Sequence, residues 1–211
     1  MFPPGFGPLS GEVLSALVVF AFVASATPGP NNMMLLASGV NYGFRRTIPH
    51  MLGIGLGFGL MILLVGFGVG QLFVLFPWLY TVLKVCSVAY MLWLAWHIAV
   101  SGPLTAKPGE TAAKPMTFLA AAAFQWVNPK AWAMCLTAIS AYTVPARFAA
   151  SMVVVTLVFV LVNLPIVSLW TLFGVTLRGL LADARRVRLF NAVMALALVA
   201  SLWPVLAEYA R

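Results

Sequence analysis

The sequence predicts an all-α integral membrane fold: six transmembrane helices forming two inverted three-helix repeats, with the first and fourth helices broken. Three observations predict it. Of 211 residues, 63% are hydrophobic and 8% charged, against about 45–50% and 25% in soluble domains. The apolar residues gather into six runs, each near the roughly 20 residues needed to cross a bilayer as a helix. Prolines with polar neighbours interrupt the first and the fourth run, which are corresponding positions in two sets of three.

Other classes fail on the same composition. Four acidic and twelve basic residues cannot cover a soluble globule of this size, and two cysteines allow no disulfide scaffold. The basic residues punctuate the apolar runs without forming a dense stripe, so nucleic acid is not an expected partner. Barrel strands would be shorter and would alternate polar with apolar residues.

The runs lie at about 12–37, 47–70, 72–99, 117–141, 148–176 and 187–207. Arg45 and Arg46 close the first, and Phe76-Pro77-Trp78 marks the turn between the second and third. The polar stretch from Ser101-Gly102-Pro103 through Lys107, Glu110 and Lys114-Pro115 is the linker between repeats. Val144-Pro145-Ala146-Arg147 is a short turn, and Arg178 to Arg188 a charged loop. The chain therefore reads as one transmembrane domain: repeat one at about 12–99, linker at about 101–116, repeat two at about 117–207. Ala24-Ser25-Ala26 resembles a signal-peptide cleavage site, but no Lys or Arg precedes it and apolar sequence resumes at Met33. The first run is therefore expected to be a retained helix. Arg45, Arg46, Lys107, Lys114, Arg178, Arg185, Arg186 and Arg188 fall in the loops after helices one, three and five, whereas the other side holds Arg147 and Arg211. The richer side is expected to be cytoplasmic, with both termini outside.

The polar residues inside the runs carry the functional signal. Thr27-Pro28-Gly29-Pro30-Asn31-Asn32 interrupts the first run. A kink in a membrane helix needs one proline; two prolines flanking a glycine, followed by two amides, suit an unwound segment around a polar solute. Gln125-Trp126-Val127-Asn128-Pro129-Lys130 interrupts the fourth. Lysine at the bilayer centre costs about 2.5–3.5 kcal/mol, so Lys130 either snorkels to an interface or serves a site. Interrupted helices in equivalent places of two inverted halves are the sequence mark of a transport site.

Weaker features read as packing. Gly55–Gly59 and Gly66–Gly70 have the spacing that lets helices approach closely. Asn163 and Pro165 form a third, slighter interruption; Asn163 can pair with a neighbouring helix or face a solute. His50 and His97 sit near the cytoplasmic ends of the second and third helices, and Tyr90, Trp93 and Trp96 suit packing or an interfacial belt. Cys86 and Cys135 are isolated and read as small hydrophobes.

At Thr27-Pro28-Gly29-Pro30-Asn31 and Asn128-Pro129-Lys130 the sequence resembles the lysine exporter (LysE/RhtB) family of bacterial amino-acid efflux proteins. Gly39-Val40-Asn41-Tyr42-Gly43-Phe44-Arg45, Leu83-Lys84 and Ala89-Tyr90-Met91-Leu92 add to the likeness, which spans nearly the whole chain. Lys114 through Phe118, Phe124 and Gln125 to Lys130 is similar to the neutral amino-acid branch, cysteine/O-acetylserine exporters included. The resemblance implies a proton-coupled secondary exporter in the bacterial inner membrane. It implies an amino-acid site formed by Thr27, Pro28, Gly29, Pro30 and Asn31 from one half and Asn128, Pro129 and Lys130 from the other. No cofactor or metal is expected; the expected partners are an amino-acid solute and the lipid bilayer, and the glycine faces permit self-association without deciding it. Many relatives carry Asp where this chain has Asn31, and the acids Glu12, Glu110, Asp183 and Glu208 all lie at or beyond helix ends. Proton coupling then falls to His50, His97, Lys130 or the amine of the solute.

Two other functions fit the scaffold less well. A metal-ion exporter would need soft or carboxylate ligands clustered in the spans, and a thiol–disulfide electron carrier two cysteines within about 7 Å, Cα to Cα.

Overall fold

The computed structural model describes residues 9–100, 114–181 and 183–202. Most of the linker, with Lys107 and Glu110, lies outside the described residues, as do 203–207 of the last expected helix, Glu208 and Arg211. The regular elements among the described residues are all helices.

Helix α1 (Gly11–Ala26) starts where the Ser10 hydroxyl accepts the Val13 N–H, with Glu12 in its first turn at the positive end of the helix dipole. Pro28 has no N–H with which to extend α1. After this break α2 (Pro30–Tyr42) resumes at 54° to α1. Gly43 then turns the chain into α3 (Phe44–Leu64) with φ +79°, a left-handed conformation that glycine adopts without a Cβ clash. A π-helical turn, Val65–Val69, joins α3 to α4 (Gly70–Leu75), with Gly68 at φ +150°. After Phe76-Pro77 comes α5 (Trp78–Val100).

The second half starts at α6 (Phe118–Phe124), capped by the Thr117 hydroxyl. A 3-10 turn, Gln125–Val127, and the extended Asn128 separate it from α7 (Pro129–Tyr142). A second 3-10 turn, Pro145–Arg147, leads into α8 (Phe148–Leu180), and α9 (Ala184–Ala200) follows the Asp183 cap.

Phe44–Leu75, Thr81–Val100 and Pro145–Gly179 are each long and apolar enough to cross a membrane, and the bent pair α1–α2 passes the same test as one broken span. The chain is thus an all-helical, multi-pass membrane protein. Both sequence breaks fall where expected. Two expectations are corrected. Pro165 lies within α8 without interrupting it, because one missing N–H frees a single carbonyl that a long packed helix tolerates. The charged loop from Arg178 to Arg188 shrinks to Leu181–Asp183, its arginines being taken into the ends of α8 and α9.

Apolar clusters hold the helices together. Leu17, Phe58, Cys135 and Phe159 join α1, α3, α7 and α8, with the Phe159 ring edge-on to Phe58 and Phe20 at 5.4 and 5.9 Å. Met34, Met91, Phe124 and Leu198 join α2, α5, α6 and α9. Because lipid is as apolar as leucine, close backbone approach and interhelical hydrogen bonds must also contribute. A Cβ on Gly39 would strike the Thr171 carbonyl, and one on Gly174 the Leu36 carbonyl, so α2 and α8 touch backbone to backbone. Gly53 and Gly57 turn to α6, and Gly55 and Gly59 to α8. The Gly66–Gly70 spacing is different: a Cβ on Gly70 would meet the Val65 carbonyl of its own π turn. Asn41 donates to Asn191 at 3.1 Å, tying α2 to α9.

Candidate functional site

The two breaks meet. Each ends in a half-helix that opens on a proline, Pro30 for α2 and Pro129 for α7. Proline suits this first position because its φ is already helical and its missing N–H has no acceptor there. In α2 the first intrahelical bond runs from the Met33 N–H to the Gly29 carbonyl. No side chain caps the helix, which leaves the N–H groups of Asn31 and Asn32 as orphan donors at the break. In α7 the Asn128 Oδ1 accepts the Lys130 N–H at 3.1 Å.

Lys130 stands in the first turn of α7, where its ammonium faces the positive end of its own helix dipole. It escapes by reaching across to α1. Its Nζ donates to the Thr27 carbonyl at 2.7 Å, to Thr27 Oγ1 at 2.8 Å and to the Pro28 carbonyl at 3.5 Å. These acceptors stand at the negative end of α1, beyond the reach of its own N–H groups, so one ammonium caps one break from the other. Gly29 makes room for it: a Cβ there would lie 2.7 Å from Lys130 Cδ. Asn32 supports the same end, donating from Nδ2 to the Ser25 and Thr27 carbonyls at 2.8 and 2.9 Å.

A reciprocal amide pair forms the second link. Asn31 Nδ2 donates to Gln125 Oε1 at 2.9 Å, and Gln125 Nε2 donates back to Asn31 Oδ1 at 3.2 Å. Gln125 is fully buried and also donates to the Ala121 carbonyl at 2.9 Å. Around these groups lies a cavity of about 20 Å³, lined by Ser25, Gly29, Asn31, Gln125, Lys130 and Asn163 among others. That is room for one water molecule or so.

Of the residues singled out from sequence, Thr27, Pro28, Gly29, Asn31, Asn128 and Lys130 come together here, with Pro30 and Pro129 as the first residues of the half-helices. His50 and His97 do not join them. Both line a separate cavity of about 470 Å³ between α2, α3, α5 and α6. Gln125, Asn32 and Ser25 belong to the site as well; their visible signal was a polar residue beside a helix breaker. Asn163 pairs with a neighbouring helix, donating to Ser25 Oγ at 3.2 Å, and it also lines the small cavity. Cys86 and Cys135 are free thiols on different helices, one exposed and one buried. Among the described residues no three His, Cys, Asp or Glu side chains gather in a ligating cluster.

A family model described as LysE type translocator matches residues 22–201. The chain is 36% identical over 147 residues to a cysteine/O-acetylserine efflux protein of Escherichia coli K12, covering 69% of this chain and 73% of that protein. It is 37% identical over 143 residues to the protein of that name in Shigella flexneri, covering 67% and 71%. No solved structure matches the chain.

Proposed function

The chain belongs to the LysE type translocator family, and from that premise we propose that it is a secondary exporter of small neutral amino acids across the bacterial inner membrane. The relatives named for cysteine and O-acetylserine efflux support that substrate class. The observation that carries the reading is the Lys130 ammonium, set where the two breaks meet and bonded to Thr27 and Pro28 of the other broken helix.

A zwitterion suits this place. Its carboxylate replaces the Thr27 and Pro28 acceptors on Lys130 and takes the orphan N–H groups of Asn31 and Asn32, at the positive end of α2. Its ammonium takes carbonyls freed at the break, and Asn31, Gln125 and Asn128 supply neutral hydrogen bonds. The small cavity is too tight for an amino acid, so binding and opening are one event. The Lys130–Thr27 bridge, which pins the two halves together, is exchanged for substrate contacts. That exchange gives the substrate the differential affinity that any ligand-driven conformational change requires.

In this reading the protein crosses the membrane six times, as α1–α2, α3–α4, α5, α6–α7, α8 and α9, with three crossings in each inverted half. One geometric feature supports the inversion. Tyr42, at the end of the first broken helix, and Thr117, at the start of the second, line the same cavity, as two broken helices running in opposite directions require. In this reading the end that bears the basic loops faces the cytoplasm and both termini lie outside. Transport is coupled to protons; with amides at 31 and 125, the carriers are His50, His97, Lys130 or the substrate amine. Among the described residues no three His, Cys, Asp or Glu side chains gather, so the amides and the ammonium at the breaks carry the reading toward an amino acid.

Inside-out membrane vesicles test this. Labelled cysteine and O-acetylserine should accumulate when an acid-inside proton gradient is imposed, and much less once it is collapsed. Failure to accumulate either compound overturns the export reading; accumulation indifferent to the gradient overturns the coupling alone.

A further inference from the structure

The larger cavity lies off the breaks, toward the end of the bundle that bears Tyr42 and Lys114. Its volume, about 470 Å³, is within the range of small-molecule sites. One wall is a ladder of rings on a single face of α5. Tyr90 and Trp93 have centroids 5.3 Å apart, Trp93 and His97 4.2 Å, and Tyr90 meets Phe124 at 5.7 Å. The opposite wall holds His50, which is 2% exposed and has no hydrogen-bond partner on either ring nitrogen, and Asn41, whose Oδ1 is equally unpaired. Buried polar atoms without partners are costly in a membrane protein, and here they stand in the wall of a cavity. Among the described residues the lining includes Lys114 and no Asp or Glu. Met34, which lines this space, and Phe124 belong to one apolar cluster, and in sequence they lie three residues from Asn31 and next to Gln125.

We propose that this vestibule is a second solute site, distinct from the breaks, which collects a zwitterionic amino acid before it enters the transport site. The inference rests on the export reading above. Lys114 and an N–H of His50 take the carboxylate. The ammonium takes Asn41 Oδ1 and the faces of Tyr90 and Trp93, which attract a cation through the ring quadrupole. Such a site raises the local solute concentration on the side from which export begins.

The test is equilibrium binding of labelled O-acetyl-L-serine to the full chain in lipid nanodiscs, run beside uptake by the same chain in inside-out vesicles. The native protein should bind two molecules, and Lys130→Gln should bind one while losing uptake. In the Lys130→Gln background, either His50→Ala or Trp93→Ala should weaken the remaining site by about tenfold, as expected for the loss of one charge-assisted contact. Trp93 is half exposed, so its truncation does not hollow the core should His50→Ala fail to fold. A native chain that transports but binds only one molecule, with none left in Lys130→Gln, overturns the vestibule and leaves the export reading standing. Unchanged affinity in both vestibule variants also overturns it. Neither binding nor uptake by the native chain overturns both.

Discussion

Lys130 concentrates the physical problem of this protein. An ammonium in an apolar span, at the wrong end of its own helix dipole, is stable only against a strong acceptor set, and the end of α1 provides one. Removing the charge should therefore disable transport, whereas Thr27→Val, which deletes one competing acceptor and keeps the backbone carbonyl, should change uptake only a few-fold. Comparing the two variants by uptake at matched membrane abundance checks this ordering. The amide pair makes a separate prediction. In a double-mutant cycle, Asn31→Ala and Gln125→Ala should couple by about 0.5–1.5 kcal/mol in unfolding measurements, and additive effects would show that the pair does not hold the breaks together. Lys130, Asn31 and Asn128 were legible in the sequence because polar residues beside prolines stand out in an apolar run. Their pairing was not. That Asn31 meets Gln125, 94 residues on, follows from helix placement, which no local pattern encodes.

Among the elements, α2 and α8 meet backbone to backbone, and two glycines permit it. Gly39→Ala and Gly174→Ala would each drive a methyl group into a facing carbonyl, which is expected to cost about 1–3 kcal/mol, the usual range for overpacking. Gly179, with open space around it, is the control: Gly179→Ala should leave thermal stability of the purified protein unchanged. Helix existence was readable from run length, and the breaks from Pro28, Pro30 and Pro129. The fate of Pro165 was not, since whether a proline interrupts a helix depends on what surrounds the freed carbonyl. The π turn at Val65–Val69 was equally hidden, because the glycines that permit it also suit close helix packing, which is how their spacing reads from sequence.

For the whole molecule, topology and mechanism are one question. In the proposed arrangement, two broken helices running in opposite directions and joined by Lys130 and the amide pair would let one half rock against the other about a shared site. An even number of crossings puts both termini on one side. Reporters that are active only outside the inner membrane should therefore work when fused to either end, and opposite results at the two ends would contradict six crossings. The composition that revealed the membrane also left the mechanism short of acids, and the structure sharpens that point: among the described residues, the groups at the meeting of the breaks are amides, hydroxyls, carbonyls and one ammonium. The most direct trial is the uptake of labelled O-acetylserine into inside-out vesicles by the native chain and by Lys130→Gln at equal abundance. If the joined breaks are the transport site, the native chain accumulates the label and the variant falls to the level of vesicles without the protein. Uptake by Lys130→Gln equal to that of the native chain would contradict it.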